Sequence, residues 1–291
     1  MKVNRRTIIF GALASATGMR DAMAGTPLKS ESAPSDAAIV GREIPVIWVA
    51  PEKLGRTNPV VIWLAPGISG MEETLPELKR FAAEGYLAVS FDSWARGSRA
   101  KDSIEVLFPI AMSNWPFYGW PILGIGAMET LRVMDWATGQ FGSERPFSVG
   151  GVSLGGDIAV AAAGLDKRMT CVAVANATPD WRRPGMHVDG KLVGPGMPDA
   201  YAQLLYDRIN PLTNLSSYGH RPAISFECGA DDVHVPADGA LRFRTALAGL
   251  YAGATERLQV NLYPTVKHEF TPAMLESCIG WVNKYAGRRN V

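Results

Sequence analysis

The string Gly151-Val152-Ser153-Leu154-Gly155, followed by Gly156, sets one serine among small residues. The apolar run FSVGGV leads into it and the Ala-rich stretch DIAVAAAGL follows, so Ser153 falls on a turn from strand to helix. Such a turn is tight. Neighbours without a Cβ let the backbone bend sharply and let the hydroxyl project above the sheet. The same turn puts the Leu154 N–H at a helix start, where an unpaired donor can stabilise a developing oxyanion. A serine hydroxyl attacks a carbonyl only when a base takes its proton, and the chain has four histidines. His187 and His220 lie in an irregular stretch, and His234 follows Asp232 by two residues, too close to be the partner of that carboxylate across a loop. His268, in YPTVKHEF, follows the last expected strand, and strand carboxyl ends are where α/β sheets place their chemistry. A base of this kind needs a carboxylate to fix its tautomer. Asp231 and Asp232, just after the strand AISFEC, both qualify by position; Asp180 and Asp207 sit in the irregular stretch and are weaker.

The elements that would hold these residues alternate. Short β-branched runs are expected as strands at 44–50, 59–65, 86–91, 146–152, 170–176, 223–228 and 258–263. Helical spacing is expected at 71–84, 122–141, 154–164, 237–251 and 272–285. Gly85 is a C-cap candidate for the first of these. This alternation is the signature of an α/β sheet with crossover helices. Only 177–221 breaks the rhythm, so one domain spanning 44–291 with that insertion is simpler than two.

The chain has 291 residues, 47% hydrophobic and 20% charged, with 29 Lys+Arg against 28 Asp+Glu. That composition fits a compact globular protein and excludes a nucleic-acid binder that relies on a basic face. Residues 1–24 carry Lys2, Arg5 and Arg6, then 13 weakly apolar residues, then Ala22-Met23-Ala24, a small-x-small cleavage site. With its adjacent arginines the segment resembles a twin-arginine export signal, a general secretory signal being the runner-up. Its removal takes away Lys2, Arg5, Arg6 and Arg20 but only one acid, Asp21, for a net charge of about −2. The apolar stretch is too short to span a bilayer, and no later run is long enough, so a periplasmic or secreted protein without a membrane span is expected. Residues 25–43 are expected to be a flexible leader. Cys171, Cys228 and Cys278 match no zinc spacing and are expected as buried free thiols.

Four segments occur in an order that resembles the α/β-hydrolases of the dienelactone-hydrolase-like and prolyl-oligopeptidase-like esterase branch: LAPGISG at 64–70, GVSLGG at 151–156, GADDVHVP at 229–236 and KHEF at 267–270. The likeness covers about 44–286. It implies an α/β-hydrolase fold: a mostly parallel sheet of about eight strands flanked by helices, with a small cap insertion after strand 6. The loop at 229–236 resembles the family's GxxDxxVP pattern, which selects Asp232 as the acid and leaves Asp231 as the fallback. The family's His-Gly after the third strand is Pro66-Gly67 here. The second oxyanion donor in that loop is a backbone N–H, so the resemblance assigns it to Ile68, beside Leu154. Phe91-Asp92 through Gly97 resembles the D-x-R-G turn after the fourth strand.

The chemistry implied is two-step acyl transfer on a small-molecule ester by Ser153, His268 and Asp232, with no metal or organic cofactor. A serine peptidase or amidase on the same scaffold is the second reading, and a non-catalytic binding protein the third. The absence of an obvious propeller-like domain argues against a two-domain oligopeptidase. Trp181 and Tyr206 in the insertion, with Trp115 from the aromatic cluster 115–120, are candidates for a substrate pocket, and Arg182-Arg183 for an anionic substrate group.

Overall fold

A computed structural model describes residues 36–40, 43–67, 69–142 and 146–286. The expected export signal at 1–24 therefore lies outside the described residues. Eight strands form one sheet: β1 (Asp36–Val40), β2 (Ile44–Val49), β3 (Val60–Leu64), β4 (Leu87–Phe91), β5 (Phe147–Val152), β6 (Met169–Ala175), β9 (Ala223–Gly229) and β10 (Leu258–Tyr263). Their order is β1-β2-β4-β3-β5-β6-β9-β10. β1 with β2 and β2 with β4 are antiparallel, and every later pair is parallel. A mostly parallel sheet must be covered on both faces. Along β3 the alternation is visible: Val60, Ile62 and Leu64 join one core and Val61 and Trp63 the other.

The first core holds α3 (Trp115–Phe141), α4 (Leu154–Leu165) and α6 (Asp238–Leu247), through Leu123, Val133, Ile158 and Phe243. The second holds α1 (Leu75–Ala83) and α7 (Pro272–Tyr285), through Leu78, Phe81, Met274 and Trp281. Cys171, Cys228 and Cys278 are buried free thiols, as expected, and burial pushes Cys171 and Cys228 up to about 12.

Three boundaries differ from the sequence reading. Residues 36–40, placed in the flexible leader, are an edge strand paired in register with β2, Ala38 opposite Val46. Only Val40 there is buried, and Ile39 is exposed, so backbone pairing rather than an apolar pattern makes the strand. The helix expected from 122 begins at Trp115. Pro116 is harmless in the first turn. Pro121 lies inside the helix, at about 3 kcal/mol, but Trp115 and Trp120 are both buried. Each removes on the order of 200 Å² from water, about 5 kcal/mol, so burial wins. The third difference is α2 (Ile104–Ser113), a helix that was not expected; its sequence IEVLFPIAMS is apolar but for Glu105 and Ser113, so no face stands out, and none of its residues is fully buried.

The insertion 177–221 carries a small antiparallel hairpin, β7 (His187–Val188) with β8 (Lys191–Leu192), and α5 (Ala200–Ile209), whose N-cap Asp199 accepts from the Ala202 N–H at 2.7 Å. It is pinned to α3 at two places: the indole N–H groups of Trp115 and Trp120 both donate to the Trp181 carbonyl, at 2.7 and 2.9 Å, and the helix N-cap Asn114 exchanges two hydrogen bonds with the Met197 backbone.

Candidate active site

Ser153 joins β5 to α4 with φ 52° and ψ −121°, a left-handed-side conformation that a non-glycine residue adopts only when its surroundings enforce it. Two bonds do so: the Ser153 N–H donates to the Ala175 carbonyl at 2.8 Å, and the Asp157 N–H donates to the Ser153 carbonyl at 3.0 Å. Gly155 is sterically required, because a Cβ there would collide with the Leu64 and Ala65 carbonyl oxygens. The end of β3 can therefore lie against the turn. Leu154 is the first residue of α4, so its N–H is one of the four that no helical carbonyl accepts. Ile68, the other expected oxyanion donor, lies outside the described residues. On either side of it, buried Arg96 donates to the Ala65 carbonyl, and Asp92 accepts the Met71 N–H at 2.8 Å. Burial holds the Arg96 guanidinium down to about 10.

His268 sits on the loop after β10, its Nδ1 2.6 Å from Asp232 Oδ2 and its Nε2 3.0 Å from Ser153 Oγ. Asp232 is buried, and its Oδ1 accepts the N–H groups of His234 and Val235, each at 2.8 Å. The neighbouring Asp231 is exposed and turns its own N–H to the Val266 carbonyl at 2.9 Å. Gly229 has a steric role here too: a Cβ would collide with the Val266 and Lys267 carbonyl oxygens, so the two loops can only meet over a glycine. The three residues chosen from sequence are thus adjacent, in one chain of hydrogen bonds, and the fallback acid is not part of it.

Three further residues surround this chain, and the sequence reading did not assign them a place in it. Asn176, at positive φ after β6, donates to the Glu269 carbonyl at 2.7 Å and accepts the Gly229 N–H at 3.3 Å, so it ties the His268 loop to the strand that carries Asp232. A polar residue ending an apolar strand was its one visible signal. Asp157, one turn beyond Ser153, is fully buried; it pairs with Arg183 and accepts the Thr178 N–H at 2.7 Å. Burial pushes its carboxyl up, and the Arg183 guanidinium opposes that. His234 lies edge-on to His268, with ring centroids 4.8 Å apart, and its Nδ1 is 3.3 Å from the His187 carbonyl, so it is a donor there. Burial, then the fields of His268 and Arg183, hold His234 down to about 3.

Of the expected pocket residues, Trp115 lines a cavity of about 430 Å³ between α3 and the insertion. Trp181 and Tyr206 lie behind that wall: Trp181 is fully buried, and Tyr206 stacks on Trp120 with centroids 4.2 Å apart. Among the described residues no group of three or more His, Cys, Asp or Glu side chains is placed to hold a metal ion, and no helix is long and apolar enough to cross a membrane.

No protein-family model matches the chain, and no curated protein matches it in sequence. Solved structures do. The protein TT1662 of Thermus thermophilus superposes with a TM-score of 0.64 at 21% identity, over 88% of this chain and 99% of that one. A Klebsiella pneumoniae protein provisionally described as a dienelactone hydrolase gives 0.61 at 17%, over 87% and 99%. A puromycin-hydrolyzing peptidase of Mycobacterium tuberculosis gives 0.69 at 17%, over 91% of this chain but 41% of that one. At these identities the likeness is one of fold, and the eight-stranded, mostly parallel sheet with helices on both faces is the α/β-hydrolase fold.

Proposed function

We propose that this chain is a serine hydrolase that cleaves small or medium carboxylic esters through an acyl-enzyme. The observation that carries the proposal is the placement of the His268 ring, 2.6 Å from Asp232 and 3.0 Å from Ser153. In this reading His268 Nε2 takes the Ser153 proton as Oγ attacks the ester carbonyl, and Asp232 holds the imidazole in the tautomer that leaves Nε2 free to accept. The Leu154 and Ile68 N–H groups stabilise the tetrahedral oxyanion, a contribution of about 10²–10³ in rate per donor. His268 then returns the proton to the leaving alcohol. Water, activated by the same histidine, attacks the acyl-serine and releases the acid. The positive charge that His268 acquires in each step faces His234, which is neutral across the working pH range and so adds no repulsion.

The N-terminal residues, with Arg5-Arg6 and Ala22-Met23-Ala24, support export to the periplasm or beyond as part of the same proposal. Amide cleavage is the second reading, favoured by the peptidase among the structural neighbours; that peptidase carries a further length of chain with no counterpart in these residues.

A fluorophosphonate probe followed by peptide mapping tests the nucleophile: the label is expected on Ser153. Hydrolysis of 4-nitrophenyl butyrate is expected to fall by about 10⁶ in Ser153→Ala, with the circular dichroism spectrum unchanged. Turnover that survives in that variant would sink the mechanism, and a panel of matched anilides separates amidase from esterase.

A further inference from the structure

The cavity of about 430 Å³ has a composition that points to its occupant. Its walls include Trp115 and Trp120 from α3, Arg182, Arg183 and Met186 from the insertion, and Gln203 from α5, and no lining residue is acidic. The two indole N–H groups are occupied by the Trp181 carbonyl, so the tryptophans offer the space only carbon. The arginines differ from one another. Arg183 is 3% exposed, stacks 4.4 Å from the Trp115 ring and has its charge offset by Asp157, yet its buried Nε has no hydrogen-bond partner. Arg182 is exposed, lies 5.2 Å over the Tyr206 ring and forms no ion pair among the described residues. The cavity thus combines one positive charge without an ion-pair partner, a second guanidinium held by Asp157, and aromatic walls. Arg183 also ties the cavity wall to the helix that begins at the proposed catalytic serine: its partner Asp157 is four residues beyond Ser153, about 6 Å along α4.

We propose that this cavity takes the remote end of the substrate, and that this end is a carboxylate carried on an apolar or aromatic body. The proposal rests on the serine-hydrolase reading for the word substrate, but not for the binding itself. The planar donors of the Arg182 guanidinium match a carboxylate, and hydrogen bonds to a charged acceptor are about twice as strong as neutral ones. A volume of this size suits a small organic molecule. A cationic ligand would meet Arg182, and a neutral one would leave that charge unmatched.

The test uses the full chain as Ser153→Ala, so that nothing turns over, titrated calorimetrically with 4-phenylbutyrate and with 4-phenylbutanol, its neutral counterpart. The acid is expected to bind at least tenfold more tightly at low salt. That ratio is expected to fall toward one in Arg182→Gln, whose exposed position spares the fold, and to drop severalfold in Arg183→Lys, which keeps a charge opposite Asp157. In the unmutated protein the acid is expected to inhibit 4-nitrophenyl acetate hydrolysis competitively. Equal affinities for acid and alcohol, a preference that survives Arg182→Gln, or inhibition that is not competitive would each overturn the proposal. Failure of the unmutated protein to hydrolyse any ester instead refutes the hydrolase reading, since the acid-to-alcohol ratio is read without turnover.

Discussion

His234 makes the proposed site sensitive to acid in a way that can be calculated. Its folded value is about 3 against an ordinary 6.5, so between those limits the unfolded chain binds the extra proton and the native one does not. Stability contributed by the neutral ring is therefore complete above about pH 6.5 and is lost as pH falls toward 3. At pH 5.0 the loss is about 2 kcal/mol, and at pH 7.5 it is below about 0.1 kcal/mol. The groups that face the ring are His268, Arg183 and Asp232, with Phe108 of α2 across from it at 6.2 Å between centroids. His234→Gln removes the titration and keeps an amide N–H that can reach the His187 carbonyl. Urea unfolding of both proteins at pH 7.5, 6.5 and 5.0 is the assay. At pH 7.5 the variant is expected to be less stable by no more than about 1 kcal/mol, the worth of one long hydrogen bond. By pH 5.0 the comparison shifts about 2 kcal/mol in the variant's favour. Stability curves that stay parallel from pH 7.5 to 5.0 would refute the reasoning, because they would mean that the ring charges as readily folded as unfolded.

Two other perturbations follow from the same structure. Glu77, in the first turn of α1, is buried with Oε2 unpartnered, and desolvation raises it to about 7; Glu77→Gln is expected to be neutral below pH 4.5 and to stabilise by about 3 kcal/mol at pH 8, measured as a Tm difference that grows from pH 4.5 to about 7 and then levels off. Asn176→Ala removes its side-chain bonds to Glu269 in the His268 loop and to Gly229 of β9 and puts alanine at φ 48°; kcat for 4-nitrophenyl butyrate is expected to drop by about 10–100-fold with little change in KM, since the substrate contacts are intact and only catalytic positioning is lost.

Much of this arrangement is legible in sequence, for local reasons. Ser153 is marked by glycines that sterics demand, and His268 and Asp232 by their place just beyond strands. The choice between Asp231 and Asp232 needed a family pattern, because both carboxylates follow the same strand and only the loop's path separates the buried one from the exposed one. Asp157 and Arg183 are 26 positions apart, and neither residue's surroundings in the chain announce a buried pair. His234 was passed over because its closeness in sequence to Asp232 excludes it as that residue's base, whereas its contact with His268 is made 34 positions away. Trp181 and Tyr206 have the composition of a pocket wall, but α3 starts seven residues earlier than its periodicity suggests and brings Trp115 and Trp120 between them and the space.

The two backbone N–H groups that occupy Asp232 Oδ1 also decide which single-atom change the site can bear. An amide in that position has one oxygen and one NH2, and the loop's donors leave the oxygen no choice of side. The NH2 must then face His268 Nδ1, which can meet it only as an acceptor, so the ring proton moves to Nε2 and points at Ser153. Asparagine would fill the same volume and keep the loop's bonds, yet hand the serine a donor in place of a base. Two backbone amides of the loop thereby make oxygen and nitrogen distinguishable at a site where size alone could not tell them apart.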